Sequence, residues 1–199
     1  MSDQQVTNEF VGFAVHVGKN LAVALQNCLK RPQAQGGQGS GSSQSESGSQ
    51  GSGGTGQGSG DSKQQSKLGI VRRALDFPSL MLSLGFQPAF TFYLSKISEL
   101  KDFRAVYEVY KYLKGDGSNV PNEVCSELRS AEGSGYAGYV AIILYALEKA
   151  GKSVQVDEDL VTLFRNLLDL TVSVTLDDER VLLQYLEEVR KVLGALPYG

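Results

Sequence analysis

The chain has no tryptophan, one histidine, two cysteines and two methionines among 199 residues. With His16 as the sole histidine, a multi-histidine metal site is excluded, and any nucleophile–histidine pair has to use that one residue. His16 shares a helical face with Glu9, Gly12, Lys19 and Asn20, so it reads as a surface residue on the polar side. Cys28 and Cys125 lie far apart with no CxxC spacing, which argues against a zinc knuckle or a disulfide framework. Both fall on expected helices, where buried free thiols behave as small hydrophobes. Charge of one sign is also scarce, since 19 Lys and Arg against 22 Asp and Glu leave a net charge of −3. The total therefore points neither to a nucleic-acid binder nor to an acidic tail. The opening MSDQQVTNEF has neither a basic stretch nor an unbroken apolar one, so no secretory signal is visible and a cytoplasmic location is expected.

What is present is unevenly spread. Residues 67–114 carry eight Lys and Arg against four Asp and Glu, whereas residues 115–199 carry seven against fourteen. The chain thus has a basic middle and an acidic C-terminal half, and a basic face of this kind can track phosphates. Between Gln33 and Gly60 run 28 residues with eleven Gly, eight Ser and six Gln, and no apolar side chain larger than Ala34. Such a segment cannot offset the entropy of becoming ordered and reads as a flexible tether reaching about 30 Å. The expected organisation is an N-terminal helix in 1–32, the tether in 33–66 and the rest of one helical bundle in 67–199.

The periodicity elsewhere is helical. Val6, Phe10, Phe13, Val17, Leu21, Ala24 and Cys28 recur at steps of three and four. Leu100, Phe103, Tyr107, Tyr110 and Leu113 repeat the pattern after Ser98, an expected N-cap. Pro121 suits the first turn of a short helix to about Ser130. Tyr139, Ile143, Ala146 and Ala150 mark another helix, closed by Gly151. A further one follows Asp157, an expected cap, with Leu160, Leu163, Phe164, Leu167 and Thr171 on its apolar face. Leu182, Leu186, Val189, Leu193 and Leu196 mark the last. Only SVQV (153–156) alternates like a strand, too briefly to build a sheet. The fold class is all-α, a bundle of six to eight helices.

One uncharged run, FPSLMLSLGFQPAFTFYLS, extends over the nineteen residues from Phe77 to Ser95, nearly the length of a membrane span. Its two prolines and Gly85 argue against a continuous spanning helix. They favour two short buried helices instead, Pro78–Leu84 and Pro88–Ile97.

Motifs for catalysis are weak. GSGYAG (133–138) spells the glycine pattern of a dinucleotide-binding unit, with Asp157 beyond it, but the lead-in VCSELRSAE reads as a charged helix where that unit needs a strand. The bare amides there still suit a single phosphate. DED (157–159) and DDE (177–179) open helices, where carboxylates cap amides and complement the dipole. In DGSNVPNE (116–123) Pro121 stands where a calcium loop needs glycine. No catalytic residue, metal ligand, cofactor or small-molecule ligand is expected, and the chain reads as a non-enzyme.

The basic residues remain. Lys101, Arg104 and Lys111 share one helical stripe beside tyrosines, Arg72 and Arg73 protrude beside the Leu68/Val71/Leu75 face, and Lys96 ends the uncharged run. No base-reading motif accompanies them, so any nucleic-acid contact is to the backbone.

The stretch RRALDFPSLMLSLGFQPAFTFYLSK (72–96) resembles the signature segment of the small subunit of the Cmr complex, the type III-B CRISPR–Cas effector. In that family a basic helix enters a Leu-Pro-x-Leu-type turn, matched here by Phe77-Pro78-Ser79-Leu80. A Gly-x-x-Gln-like step follows, matched by Gly85 and Gln87, and then an aromatic helix ending in Lys, matched by Phe92 to Lys96. TLDDERVLLQYLEEVRK (175–191) is similar to the family's last helix. The chain departs from the pattern in Leu84 before the glycine, in lacking tryptophan, and in the tether and the insertion at 115–135. The resemblance implies a non-catalytic, all-helical subunit in the cytoplasm, stacking with copies of itself and other effector subunits along crRNA and target RNA. It implies Arg72, Arg73, Lys96, Arg190 and Lys191 as RNA-backbone contacts, while Lys101, Arg104 and Lys111 come from charge geometry alone. A small subunit of another effector type, a helical protein–protein adaptor, and a nucleotide-binding enzyme using GSGYAG stand as alternatives.

Overall fold

A computed structural model describes residues 3–30, 68–115, 119–129 and 135–196, with side chains from residue 7 onward and excepting that of residue 129. The Gly/Ser/Gln tether lies outside the described residues. Eight α-helices and no strand occur among them: α1 (Asp3–Lys30), α2 (Gly69–Leu84), α3 (Phe86–Leu94), α4 (Leu100–Lys114), α5 (Asn122–Arg129), α6 (Tyr136–Lys149), α7 (Leu160–Ser173) and α8 (Leu176–Gly194). The all-α bundle expected from the periodicity is what forms. SVQV is irregular chain rather than strand.

α6 is the central element, because its apolar residues occupy every face and the eleven residues from Ala137 to Leu147 are all buried. A helix apolar all round has to be enclosed. α4 packs against it, α8 closes over both α1 and α2, and α5 fills the space between α1 and α4. The long α1 buries Phe10, Phe13, Ala14, Val17, Leu21, Ala24 and Cys28, the sequence-expected face, along α8. Gly18 is what lets the two helices approach, since a Cβ there would stand 2.3 Å from Cγ1 of Val192. α6 ends in a Schellman motif, with the Gly151 and Lys152 amides donating to the Glu148 and Leu147 carbonyls and Gly151 at φ +87°.

The uncharged run behaves differently from the two-helix expectation. Pro78 neither stops nor restarts a helix; it lies inside α2, which continues to Leu84. An interior proline removes one hydrogen bond and costs about 3 kcal/mol. Against that, α2 presents a continuous buried face of Ile70, Val71, Ala74, Phe77, Pro78 and Met81. Large apolar side chains gain about 1.5–3 kcal/mol each on full burial, enough to hold the helix through the proline. The break falls at Gly85, whose φ of +84° and ψ of 170° favour glycine. Pro88 then sits in the first turn of α3, where its missing N–H has no intrahelical partner to lose. The run is also not wholly core: Ser79, Leu82, Ser83, Gln87, Thr91 and Phe92 face outward. Among the described residues no helix is long and apolar enough to cross a membrane.

Two local expectations shift by a residue or two. α4 is capped by Glu99 rather than Ser98, and the Asp102 carboxylate accepts from both the Ser98 and Glu99 amides at 3.1 Å. α7 is capped by Asp159, which accepts from the Thr162 amide at 2.9 Å, while Asp157 braces the Asp159 amide at 2.8 Å. Asp178 accepts from the Thr175 amide at 2.8 Å, so the carboxylates of both acidic clusters do serve as caps.

Two further expectations are overturned. Cys28 and Cys125 are not free thiols: they form a disulfide that ties the end of α1 to α5. Neither cysteine carried a spacing signal; the bundle brings their Cα atoms to 5.4 Å, within disulfide range, by packing α1 against α5. His16 is not on the surface but half-buried. Its Nε2 lies 2.8 Å from the Leu113 carbonyl at the end of α4, and its ring packs at 6.0 Å from Tyr145. That bond satisfies one of the orphan carbonyls every helix C-terminus leaves.

Candidate nucleic-acid interface

The eight cations singled out from the sequence do not form one patch. They are distributed over α2, the end of α3, α4 and α8. Six have a carboxylate within ion-pair distance. Asp76 lies 3.4 Å from both Arg72 and Arg73; Glu99 lies 2.8 Å from Lys101, and Glu158 3.7 Å from Arg104. On α8, Glu187 lies 3.2 Å from Arg190 and Glu188 2.6 Å from Lys191. Among the described residues Lys96 and Lys111 have none, and Lys111 instead donates to the Tyr107 hydroxyl at 3.2 Å, which raises its pKa.

These pairings decide which cations leave a positive field. Lys101, Arg104, Arg190 and Lys191 are each neutralised one-for-one, so α8 and the start of α4 offer a phosphate little net attraction. Arg72 and Arg73 both reach Asp76, and a surface pair such as Arg72–Asp76 contributes only about 0–1 kcal/mol, so a phosphate can compete for Arg72 at small cost. Arg72, Arg73 and Lys96 lie close to a set of aromatic rings.

There the side chains alternate cation and ring. The Arg73 guanidinium lies 4.3 Å from the centroid of Tyr136, on α6. Tyr136 stands edge-on to Phe92, on α3, at 6.4 Å, and the Lys96 ammonium lies 5.1 Å from the Phe92 ring. Tyr93 underpins the row: it is buried, meets Tyr136 at 5.1 Å, and donates its hydroxyl to the Arg73 carbonyl at 3.1 Å. Burial pushes its phenol well above the usual range, so it remains a donor. The sequence dictates part of this directly, because Phe92 and Lys96 are one helical turn apart and meet across the frayed end of α3. Lys96, at an exposed site, also gains about 0.5–1 kcal/mol from its ring, and the Arg73 side chain is mostly buried against Tyr136. Phe92 is 45% exposed with its edge bounded by Gln87, Pro88 and Thr91, a shallow open platform on which a base or ring can stack.

Phe92 and Tyr136 were not among the sequence-expected contact residues. The four-residue step from Phe92 to Lys96 is a legible signal for the first. Tyr136 has no such signal, since only the packing of α6 on α2 and α3 brings it there.

The GSGYAG segment resolves into a structural joint where it is described. Gly135 caps α6 at φ +83°, and a Cβ would stand 2.3 Å from the backbone carbon of Gly69 and nitrogen of Ile70. The glycine is required by the backbone of α2. Gly133 and Ser134 lie outside the described residues. One of the amides expected to suit a phosphate is already used, since Gly138 N–H donates to the Glu127 carboxylate at 3.0 Å. A cavity of about 180 Å³ between Lys96 and this end of α6 is lined by Asp102 and Glu127, which discourages an anion there. Burial raises the Glu127 pKa, offset in part by the Gly138 amide. The strand that a dinucleotide unit needs before its first glycine is absent among the described residues. No group of three or more His, Cys, Asp or Glu able to hold a metal occurs among them either.

No protein family, no curated protein and no solved structure matches the chain.

Proposed function

We propose that the chain is a non-catalytic subunit that contacts RNA backbone through Arg72, Arg73 and Lys96, in the manner of the small subunit of a type III CRISPR effector acting in the cytoplasm. The observation that supports it is the Arg73–Tyr136–Phe92–Lys96 row, where two cations flank two rings, with Phe92 and Lys96 exposed and Arg73 and Tyr136 half-buried beside them. Cations on such an edge take phosphates and the exposed ring takes a base, a combination tolerant of sequence. Lys101, Arg104, Arg190 and Lys191 contribute secondarily, through pairs that a phosphate has to break. With a net charge of −3, the chain binds RNA weakly alone and gains affinity beside crRNA, target RNA and other subunits.

The test is binding of a fluorescent single-stranded RNA across a salt series. The triple Arg72→Ala/Arg73→Ala/Lys96→Ala variant should lower the log–log salt slope by about 2, at about 0.7 per lost phosphate contact. Phe92→Ala should weaken binding by about 1–3 kcal/mol at one base. Arg190→Ala/Lys191→Ala should matter least. Binding indifferent to salt, or a triple variant that binds like the parent, refutes the reading.

The Cys28–Cys125 disulfide favours a second reading, a helical protein–protein adaptor without nucleic acid, because stable disulfides are rare in a reducing cytosol. That reading expects partner binding that survives all three substitutions.

A further inference from the structure

The outer face of α7 carries an apolar stripe that the described structure leaves largely uncovered, with Phe164 meeting the Phe103 ring of α4 edge-on at 5.5 Å. Val161, Phe164, Leu168 and Val172 recur at steps of three, four and four and are 63%, 44%, 47% and 73% exposed. The opposite side of the same helix, Leu163, Leu167, Leu170 and Thr171, is the one buried in the bundle. α7 therefore has two apolar faces and one partner. Leu176, at the start of α8, and Leu100, at the start of α4, are further exposed apolar residues, at 73% and 69%. Isolated exposed leucines are ordinary, but a continuous stripe of this kind marks an interaction surface.

The Gly/Ser/Gln-rich segment supplies no cover. Residues 31–67 contain only Pro32 and Ala34 as apolar side chains, so that segment cannot fill the stripe. The charges beside the stripe select the occupant. Arg165 and Asp169 lie along one edge of it, both exposed, and neither forms an ion pair among the described residues.

We infer that α7 pairs antiparallel with α7 of a second copy of this chain, about a twofold axis passing near Leu167. A twofold of that kind apposes the same edge of both helices, so the contact is isologous. In that register Arg165 stands level with Asp169 of the other copy, and the pair occurs twice. The apolar residues interleave in the same register: Phe164 falls between Leu168 and Val172 of the other copy, and Leu168 between the other Leu168 and Phe164. One sequence thus matches itself in both charge and shape. Of the acids at the two ends of the stripe, Glu158, Asp177 and Asp178 are paired with Arg104, Arg180 and Lys152, Asp157 and Asp159 are engaged in helix-capping hydrogen bonds, and Glu179 has no ion pair among the described residues. A helix of 14 residues is about 21 Å long, so the contact is at the small end of specific interfaces and the dimer is a reversible one. The inference stands apart from the RNA reading, because the stripe contains none of the residues in the Arg73–Lys96 row.

Sedimentation velocity of the full chain over a hundred-fold concentration range tests it. The parent should move from monomer toward dimer as concentration rises. Leu168→Asp should remain monomeric throughout, with a circular dichroism spectrum and Tm like the parent's, since Leu168 faces away from the bundle. Arg165→Asp should weaken association at least ten-fold, and Arg165→Asp/Asp169→Arg should recover most of it. A parent that stays monomeric at the highest concentration overturns the inference and leaves the stripe to a different protein. So does a dimer that persists in Leu168→Asp, or a double exchange that fails to recover what the single substitution lost.

Discussion

Reducing the Cys28–Cys125 bond perturbs stability without removing any atom of the core except through the cross-link itself. The two cysteines are 97 residues apart in sequence. In the chain-entropy treatment a closed loop of about that size restricts the unfolded ensemble by about 4.7 kcal/mol at room temperature. Both half-cystines are buried, Cys28 fully, so the reduced thiols stay in place as small hydrophobes and the native packing of α1 on α5 is retained. The difference between oxidised and reduced protein is therefore almost entirely an unfolded-state effect. With an m-value of about 2 kcal/mol/M, typical for urea at this size, the midpoint should fall by about 2 M on reduction. The m-value should rise at the same time, because an uncrosslinked chain exposes more surface when it unfolds. The assay is urea unfolding followed by circular dichroism, with and without a phosphine reductant, beside a Cys28→Ala/Cys125→Ala variant. That variant should resemble the reduced protein and lose a little more for the missing sulfurs. Identical midpoints in the two redox states, or two thiols titrating in the denatured protein without reductant, would refute the reasoning.

Two further outcomes test the interior and the electrostatics. The Tyr139 hydroxyl is fully buried and has no hydrogen-bond partner among the described residues, so Tyr139→Phe should be neutral to stabilising, by up to about 1 kcal/mol in thermal unfolding. A loss of more than 1 kcal/mol would show that the hydroxyl is satisfied. Asp178 is held down from 3.8 to about 2, first by the Lys152 ammonium and then by the Thr175 amide. A depressed carboxyl contributes stability that is fully present above pH 3.8 and is lost as pH falls toward 2, worth about 1 kcal/mol once partial exposure is allowed for. Asp178→Asn should therefore be less stable than the parent at pH 6 and equal to it near pH 2, and a constant difference across that range contradicts the pairing.

The helices were legible because most of them are amphipathic on one face, and a period near 3.6 reports that directly. The α1 face from Phe10 to Cys28 and the α8 face from Leu182 to Leu193 are read off the spacing alone. Pro78 was misread because a local rule, that proline ends a helix, competes with burial on both sides of it, and burial is a tertiary quantity. The caps slipped by one or two residues because Ser98, Glu99, Asp157 and Asp159 are all competent and only the backbone geometry chooses among them. For the candidate site, charge type was legible and charge pairing was not. Asp76 is visible four residues after Arg72, yet the link from Arg104 to Glu158 spans α4 and the segment before α7, which no local pattern encodes. The disulfide and the Tyr136 contact are unreadable for the same reason.

The disulfide and the RNA reading meet on the question of compartment, and the bundle allows the two to be separated. The cross-link joins α1 and α5, whereas the cation–ring row is built from α2, α3 and α6. No residue of the row touches either cysteine through a ring contact or hydrogen bond described above. Losing the bond therefore lowers global stability without redirecting Arg73 or Lys96. α1 does not depend on the cross-link for its place, because Phe13, Ala14, Val17 and Leu21 remain buried against the bundle and Tyr185 still donates to Glu9 at 2.7 Å. At about 2 kcal/mol for each large apolar side chain, that face outweighs the two sulfurs. A dithiol form is consequently expected to be folded with its cation–ring row in place, only less stable than the oxidised one. The state of Cys28 and Cys125 in the native host then reports the compartment alone, and RNA binding has to be decided on the row itself.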